Sequence, residues 1–352
     1  MKTQLIKINP HCPDPKKIQP AADIIKHGGL VAFPTETVYG LGVDALNSNA
    51  VLHLFEAKRR PLDNPPIIHL ADTESVYPLV RQVSQKARCL MEQFWPGPLT
   101  LIFKHSKIVP KQTVANLDTI AIRIPNHPIA QTLIRQANCP IAAPSANLSG
   151  KPSPTTAQHV IDDLNGAIDA LIDGGTTNIG VESTVVDLSI DPPVLLRPGG
   201  TSYEDLKAVI ADLELHPFVQ TEKELTIEKT SSPGMKHKHY APKADVILVE
   251  GNPKTVTNKI STLTNIYKQK GYKIAILATD ETQTAYQTDI VKSLGSRTNL
   301  PTIAQNLFGL LRDIDDQNVD IIIAEGVSSE GLGLAIMNRL RKASGYNIIK
   351  AQ

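Results

Sequence analysis

Three cations, a carboxamide and an imidazole fall within KRRPLDNPPIIH, residues 58–69. Lys58, Arg59 and Arg60 close a stretch with helical spacing, where cations complement the negative end of the helix dipole for ~0.3–1 kcal/mol. Lys58 and Arg60 also suit a polyphosphate, because a guanidinium meets paired oxygens bidentately. Asn64 and His69 flank the apolar run that follows, and a histidine at a strand end serves structure as readily as chemistry. Arg123 lies inside TIAIRIP, residues 119–125, which begins with Thr119 and is otherwise apolar. A guanidinium there is costly unless paired or facing a ligand. It is either a salt-bridge partner at the sheet edge or a clamp for a small carboxylate.

Hydroxyl-rich turns recur beside these cations. FPTETVYGLG (33–42) sets Thr35, Glu36 and Thr37 on a turn begun by Pro34, then supplies Gly40 and Gly42. A plain turn needs one or two breakers, so this stretch looks like a place where something small is held. AAPSANLSGKPSPTT (142–156) follows Ala143 with Pro144, Ser145, Asn147, Ser149 and Ser153. Small hydroxyls and free backbone N–H groups on such a turn can cradle phosphate or ribose, although the G-x-x-x-x-G-K-[ST] order of a Walker loop is absent. GGTTNIGVESTVVD (174–187) repeats the theme and holds Ser183, and LRPGG (196–200) puts Arg197 at a strand end before a tight turn. Other signals are discounted. GLGLAI (331–336) has Ile336 where a dinucleotide fingerprint has its third glycine, and reads as a helix start. His237 and His239 have no Cys/His/acid set nearby to complete a metal quartet.

The elements that must position these residues follow from periodicity. Helices are expected at KKIQPAADIIKHG, SNAVLHLFEAKRR (capped by Ser48), SQKARCLMEQF, HPIAQTLIRQA and SYEDLKAVIADL. Strands are expected at LVAF, PPIIHL, LTLIF, TIAIRI, PIAAP, ALIDG, STVVDL and PVLLR. The later strands crowd together, which favours a mixed sheet over a strictly parallel one. Residues 214–243 are polar and carry Pro217, Pro233 and Pro242, so they read as a linker between a domain at 1–213 and another at 244–352. In the latter, strands ADVILVE, KIAILAT and VDIIIAE alternate with three helical stretches, the pattern of a small parallel α/β domain.

Composition narrows the function classes. The 352 residues carry a net charge of +1 and only 4% aromatics, so no overall basic field or stacking surface drives broad nucleic-acid affinity. The N-terminus lacks the apolar core of a signal peptide. No apolar run approaches the ~18–20 residues that span a bilayer, so no membrane partner is expected. Cys12, Cys89 and Cys139 are scattered and odd in number, which fits a reducing cytosol and a cytoplasmic location.

Taken in order, PTETVYGLG, KRRPLDNPPIIH, APSANLSG, VESTVVD, LRPGG and the linker SPGMKHKHYAP resemble the YrdC-like family of threonylcarbamoyl-AMP synthases in its long, two-domain form, over essentially the whole chain. Two positions depart from the pattern: Arg59 stands where relatives usually have glycine, and Pro66 where they usually have leucine. The resemblance implies an α/β fold: a twisted mixed sheet with flanking helices and a concave basic cavity, then a Rossmann-like C-terminal domain. It implies that L-threonine, bicarbonate and ATP, with Mg²⁺, give threonylcarbamoyl-AMP and pyrophosphate, and that a separate tRNA threonylcarbamoyl transferase uses the product. By motif position, Thr37, His69, Arg123 and Ser183 would hold threonine, with Arg123 on its carboxylate. Arg60, Asn64, Thr119, Ala143, Ser145, Ser153 and Arg197 would hold ATP, with Lys58 beside the triphosphate. Tyr240 would close over the nucleotide from a linker acting as a lid. Glu36 would brace either its own turn or a cation.

No Ser–His or Cys–His nucleophile pair stands out, so catalysis by positioning is expected, with Lys58 and Arg60 stabilising the leaving pyrophosphate. A binding module that makes a weak RNA contact through the same cavity is the reading from another class, marked by salt-sensitive affinity. A carbamoyl-transfer enzyme of the hydrogenase-maturation type shares the YrdC-like module, but it normally carries zinc-finger-like cysteine pairs that this chain lacks.

Overall fold

The structure, a computed structural model, describes residues 2–220 and 240–352. The chain divides into two compact units, one built on residues up to 149 and 153–219, the other on 240–352 together with Gly150–Pro152. The lid reading rests largely on residues outside the described ones, including Pro233 and Gly234.

In the first unit the strands are β1 (Gln4–Lys7), β2 (Val31–Phe33), β3 (Gly40–Asp44), β4 (Ile68–His69), β5 (Leu99–Lys104) and β6 (Thr119–Arg123). They continue with β7 (Ile141–Ala142), β8 (Ala170–Asp173), β9 (Thr184–Asp187), β10 (Val194–Arg197) and β11 (Glu214–Leu215). Among the described residues they form one 11-stranded sheet in the order β1-β8-β2-β3-β7-β4-β6-β5-β9-β10-β11. The sheet is mixed, as the crowded strands suggest: β4 runs parallel to β6, while β7 is antiparallel to both β3 and β4. The helices are α1 (Pro15–Lys26), α2 (Ser48–Lys58), α3 (Gln85–Phe94), α4 (Pro128–Ala137), α5 (Ala157–Leu164), α6 (Tyr203–Val209) and α7 (Pro217–Gln220). Helix α1 buries Ile18, Ala21, Ala22 and Ile25, the i, i+3, i+4, i+7 stripe, against Ile129, Leu133 and Ile134 of α4 and Val31 and Phe33 of β2.

Three local expectations change. Gly40 and Gly42 lie not on a turn but on β3, paired with Phe33 and Val31 of β2. A Cβ on Gly42 would come within 2.7 Å of both Ile141 and Phe33 side chains, so glycine marks close packing inside a strand. Asn47, not Ser48, caps α2, accepting from the N–H groups of Asn49 and Ala50. The stretch read as linker from 214 begins inside the first unit, because β11 pairs parallel with β10.

Helix α2 ends with Arg59 in the left-handed conformation, φ 50° and ψ 42°. This is the position where relatives usually have glycine, and the backbone explains why: a left-handed C-cap is strained for a residue with a Cβ. Arg59→Gly should therefore stabilise the protein by about 0.5–1 kcal/mol, less than the full strain because glycine also gains unfolded-state entropy. The readout is a higher urea midpoint at unchanged slope. A lower midpoint would mean that the arginine side chain makes contacts worth more than the strain.

The second unit has five parallel strands, β12 (Asp245–Gly251), β13 (Ile274–Ala278), β14 (Ile290–Ser293), β15 (Ile321–Glu325) and β16 (Ile348–Ala351), in the order β14-β13-β15-β12-β16. They are flanked by α8 (Pro253–Gln269), α9 (Leu300–Asp315) and α10 (Gly333–Ala343). Central strands β12, β13 and β15 are buried and read plainly from the sequence; edge strands β14 and β16 are mostly half-buried and did not. Glu325, fully buried at the end of β15, is satisfied by Thr279, Thr282, Tyr286 and Arg297. Gly333 opens α10 as the discounted GLGLAI motif suggested; its Cβ would lie 1.9 Å from the Ser328 carbonyl. Among the described residues, no helix is long and apolar enough to cross a membrane.

Candidate active site

Arg123 ends β6, in register with His69 of β4. The residue is 3% exposed. The costly guanidinium is paired: Nη2 lies 2.7 Å from Glu36 Oε2, Nη1 donates to Thr37 Oγ1 at 2.9 Å, and Nε donates to the Gly97 carbonyl at 3.2 Å. The open question about Glu36 resolves into both roles. Oε2 meets the cation, and Oε1 accepts from the Asn126 N–H at 3.0 Å, bracing the turn. Thr35 completes the turn by donating to the Val38 carbonyl and sharing a hydrogen bond with the Thr37 hydroxyl.

The Thr-Glu-Thr turn is stitched to two other hydroxyl-rich loops by main chain. Tyr39 N–H donates to the Pro154 carbonyl, Leu41 N–H to Pro144, and Ala146 N–H to Tyr39. Ile179 and Gly180 N–H groups donate to the carbonyls of Glu36 and Thr37. Three motifs distant in sequence thus share one end of the sheet.

His69 is buried, and its Nδ1 donates to the Ile67 carbonyl at 3.1 Å. Burial, with the Arg123 charge adding to it, pushes the imidazole down to about 3, so the ring stays neutral. Ser183, 1% exposed, shares a hydrogen bond with Thr100 and accepts from Arg197 through its hydroxyl at 3.1 Å and its carbonyl at 2.9 Å. The LRPGG turn sits directly on the VEST segment: a Cβ on Gly199 would lie 2.3 Å from its backbone.

Lys58 is 1% exposed at the end of α2. Its Nζ donates to the carbonyls of Ser145, at 2.5 Å, and Asn147. Burial, with Arg60 adding to it, pulls its pKa well below the usual lysine value. The Lys58 carbonyl also accepts from Ser149 N–H, so Lys58 fastens the APSANLSG loop to α2. Arg60 donates to the carbonyls of Asn64 and Pro65, which brings Arg60 and Asn64 together. Asn64 is buried, and among the described residues its Oδ1 has no hydrogen-bond partner. Next to it, a shallow depression is lined by Pro65, Pro66, Ile102, Thr119 and Ala121.

Ala143 is buried, its N–H donating to the Ile67 carbonyl at 2.8 Å, and the Ser145 hydroxyl donates to Asn147 Oδ1. Ser153 donates to Glu182 at 2.6 Å. Glu182 escaped the sequence reading, although its place beside Ser183 in VEST was a usable signal. Tyr240 belongs to the second unit, where its ring stacks on Phe308, centroids 5.2 Å apart, with the Arg339 guanidinium 5.5 Å above it.

The arrangement in the first unit offers a buried cation beside hydroxyls, a neutral imidazole, and a second cationic corner with an unfilled acceptor. That suits a small carboxylate next to an anionic, hydrogen-bonding partner. A family model for Sua5/YciO/YrdC, described as telomere recombination, matches residues 23–199. A second, described as the C-terminal domain of threonylcarbamoyl-AMP synthase, matches 201–345. The chain is 52% identical over 334 residues to a threonylcarbamoyl-AMP synthase of Pyrococcus abyssi, covering 95% of this chain and 96% of the relative. It is 49% identical to the Bacillus subtilis protein of the same name, covering 96% and 95%. The crystal structure of P. abyssi Sua5 complexed with L-threonine superposes with a TM-score of 0.95 at 50% identity, covering 99% of this chain and 100% of that one. With both domain models matched in order and half of all residues shared along nearly the full length, the chain belongs to the Sua5/YciO/YrdC family, in its two-domain threonylcarbamoyl-AMP synthase form.

Proposed function

We propose that this chain acts as a nucleotidyltransferase that condenses L-threonine, bicarbonate and the magnesium complex of ATP into threonylcarbamoyl-AMP and pyrophosphate. The product supplies a separate tRNA threonylcarbamoyl transferase, and the cytoplasm is its place of work. The observation that carries this reading is the buried Arg123–Thr37 contact at 2.9 Å, a carboxylate clamp beside a hydroxyl, in a chain half-identical to a protein crystallised with L-threonine.

Arg123 takes the threonine carboxylate, with Thr37, Ser183 and the neutral His69 shaping the pocket around it. Arg60, Asn64, Thr119, Ala143, Ser145, Ser153 and Arg197 form the ATP side. The unpartnered Asn64 Oδ1 supports a ligand donor there, because buried polar atoms are rarely left unfilled. Two Lys58 N–H groups are spent on carbonyls, leaving one of its three donors for a phosphate oxygen.

The chemistry is positional. Threonine's amine attacks bicarbonate to give a carbamate, whose oxygen attacks the α-phosphorus of ATP. Charge on the departing pyrophosphate is met by Arg60, Lys58 and Mg²⁺.

The test is pyrophosphate release with threonine and bicarbonate each omitted in turn. Release should need both, fall when serine replaces threonine, and drop strongly in Arg60→Ala. Release that ignores threonine would refute the acceptor. Arg60→Ala turnover within about twofold of wild type would refute the phosphate role. No release with salt-sensitive RNA binding intact would favour a binding module instead.

A further inference from the structure

Glu36 is 5% exposed and stands between the two threonines of its turn. Its Oε1 is filled by the Asn126 N–H. Its Oε2 touches Arg123 Nη2 at 2.7 Å, yet among the described residues neither atom makes a hydrogen bond. The two charges attract, but the N–H vectors do not point along the contact. Such a buried pair holds one unfilled acceptor beside one unfilled donor, a condition that folded proteins seldom tolerate without a reason. An α-amino acid zwitterion carries the complementary pair a few bonds apart: its carboxylate suits Nη2 and its ammonium suits Oε2.

We propose that Glu36 receives the α-ammonium of threonine and accepts its proton as the carbamate forms. The inference rests on the reading of Arg123 as the carboxylate clamp. An ammonium has no lone pair, so the nitrogen must lose a proton before it attacks carbon. The step balances as R–NH₃⁺ + HCO₃⁻ + Glu36–COO⁻ → R–NH–COO⁻ + H₂O + Glu36–COOH. The N–C bond forms and the bicarbonate C–OH bond breaks. One ammonium proton leaves with that hydroxide as water, and the other goes to Glu36. The charged or titratable groups facing this carboxylate are Arg123 from β6 and the His127 ring at the start of α4. Arg123 has no free lone pair to accept a proton.

The discriminating ligand is 3-hydroxybutanoate, which keeps the carboxylate and hydroxyl of threonine but lacks the amine. Calorimetric affinities for both ligands are measured on the full-length wild type and on Glu36→Gln. Wild type should bind threonine about 10–100-fold more tightly, the range for a hydrogen bond between charged groups. In Glu36→Gln that ratio should collapse toward one. Threonine should weaken while 3-hydroxybutanoate holds or tightens, because Arg123 has lost its competing anion. Threonine-dependent turnover should fall by about 100-fold or more. Equal weakening of both ligands would overturn the proposal and leave Glu36 as a brace for Arg123. If the variant does not fold, the wild-type ratio still decides: equal affinity for both ligands would also overturn it. Arg123→Lys checks the underlying reading separately. Unchanged 3-hydroxybutanoate binding in that variant would refute the carboxylate clamp whatever Glu36 does.

Discussion

Arg123→Lys should lower kcat/KM for threonine by about 100-fold or more, while the protein stays folded. Lysine keeps the positive charge but offers a single nitrogen on a flexible stem. The guanidinium reaches the Gly97 carbonyl, the Thr37 hydroxyl and the Glu36 carboxylate at once, and no ammonium spans those three directions. Lost bidentate contact with a carboxylate and lost orientation of Thr37 each remove transition-state positioning, and together they make about 3 kcal/mol a modest expectation. The retained charge still balances Glu36, so stability should fall far less than in Arg123→Ala. The alanine change abandons a buried carboxylate, for which about 3–5 kcal/mol is the expected loss. Steady-state kinetics with threonine as the varied substrate, alongside urea unfolding of both variants, separates the two effects. Turnover within about threefold of wild type would remove Arg123 from the threonine site and make it the sheet-edge salt bridge that its sequence context also allowed.

That ambiguity shows where sequence reasoning stops. A guanidinium in TIAIRIP is conspicuous because its neighbours are apolar, and three turns are conspicuous because they hold more hydroxyls than a turn requires. The sequence therefore marks which residues are unusual. It does not reveal that Glu36 and Asn126 meet, because they are 90 positions apart and joined only by the placement of β6 beside β4 and the turn beyond β2. Lys58 carries the same lesson. It read as a helix-end cation, yet the fold buries it and turns it onto carbonyls 87 and 89 positions away. In the fold itself, elements with a continuous apolar run or a helical stripe were legible, as α1, β5 and β13 show. Strand β3 was hidden because its glycines imitate a turn while actually admitting Ile141 and Phe33. Edge strands β14 and β16 were hidden because half-buried residues leave little alternation to read.

Lys58→Met should be damaging on both stability and activity, and the proportion between them tests what the lysine is for. Methionine fills most of the stem's volume, so no large cavity opens. What disappears is the donor that satisfies the Ser145 and Asn147 carbonyls. Two carbonyls that each lose a donor would cost at most about 1–3 kcal/mol each, and less at Ser145, whose carbonyl also accepts from the Asn147 N–H at 3.0 Å. Removing an ammonium from a fully buried position offsets part of that, since its desolvation penalty goes too. The depressed pKa of Lys58, caused first by burial, is the sign of that penalty. A net destabilisation of about 1–4 kcal/mol is expected, felt mainly in the loop from Ser145 to Ser149, and hydrogen exchange there should accelerate. If Lys58 served only as a fastener, folded variant at low temperature and saturating ATP would keep most of its kcat. A third N–H directed at a phosphate oxygen predicts otherwise: pyrophosphate release should stay about 100-fold down even where unfolding curves show the variant folded. Recovered turnover under those conditions would assign the leaving-group charge to Arg60 and Mg²⁺ alone.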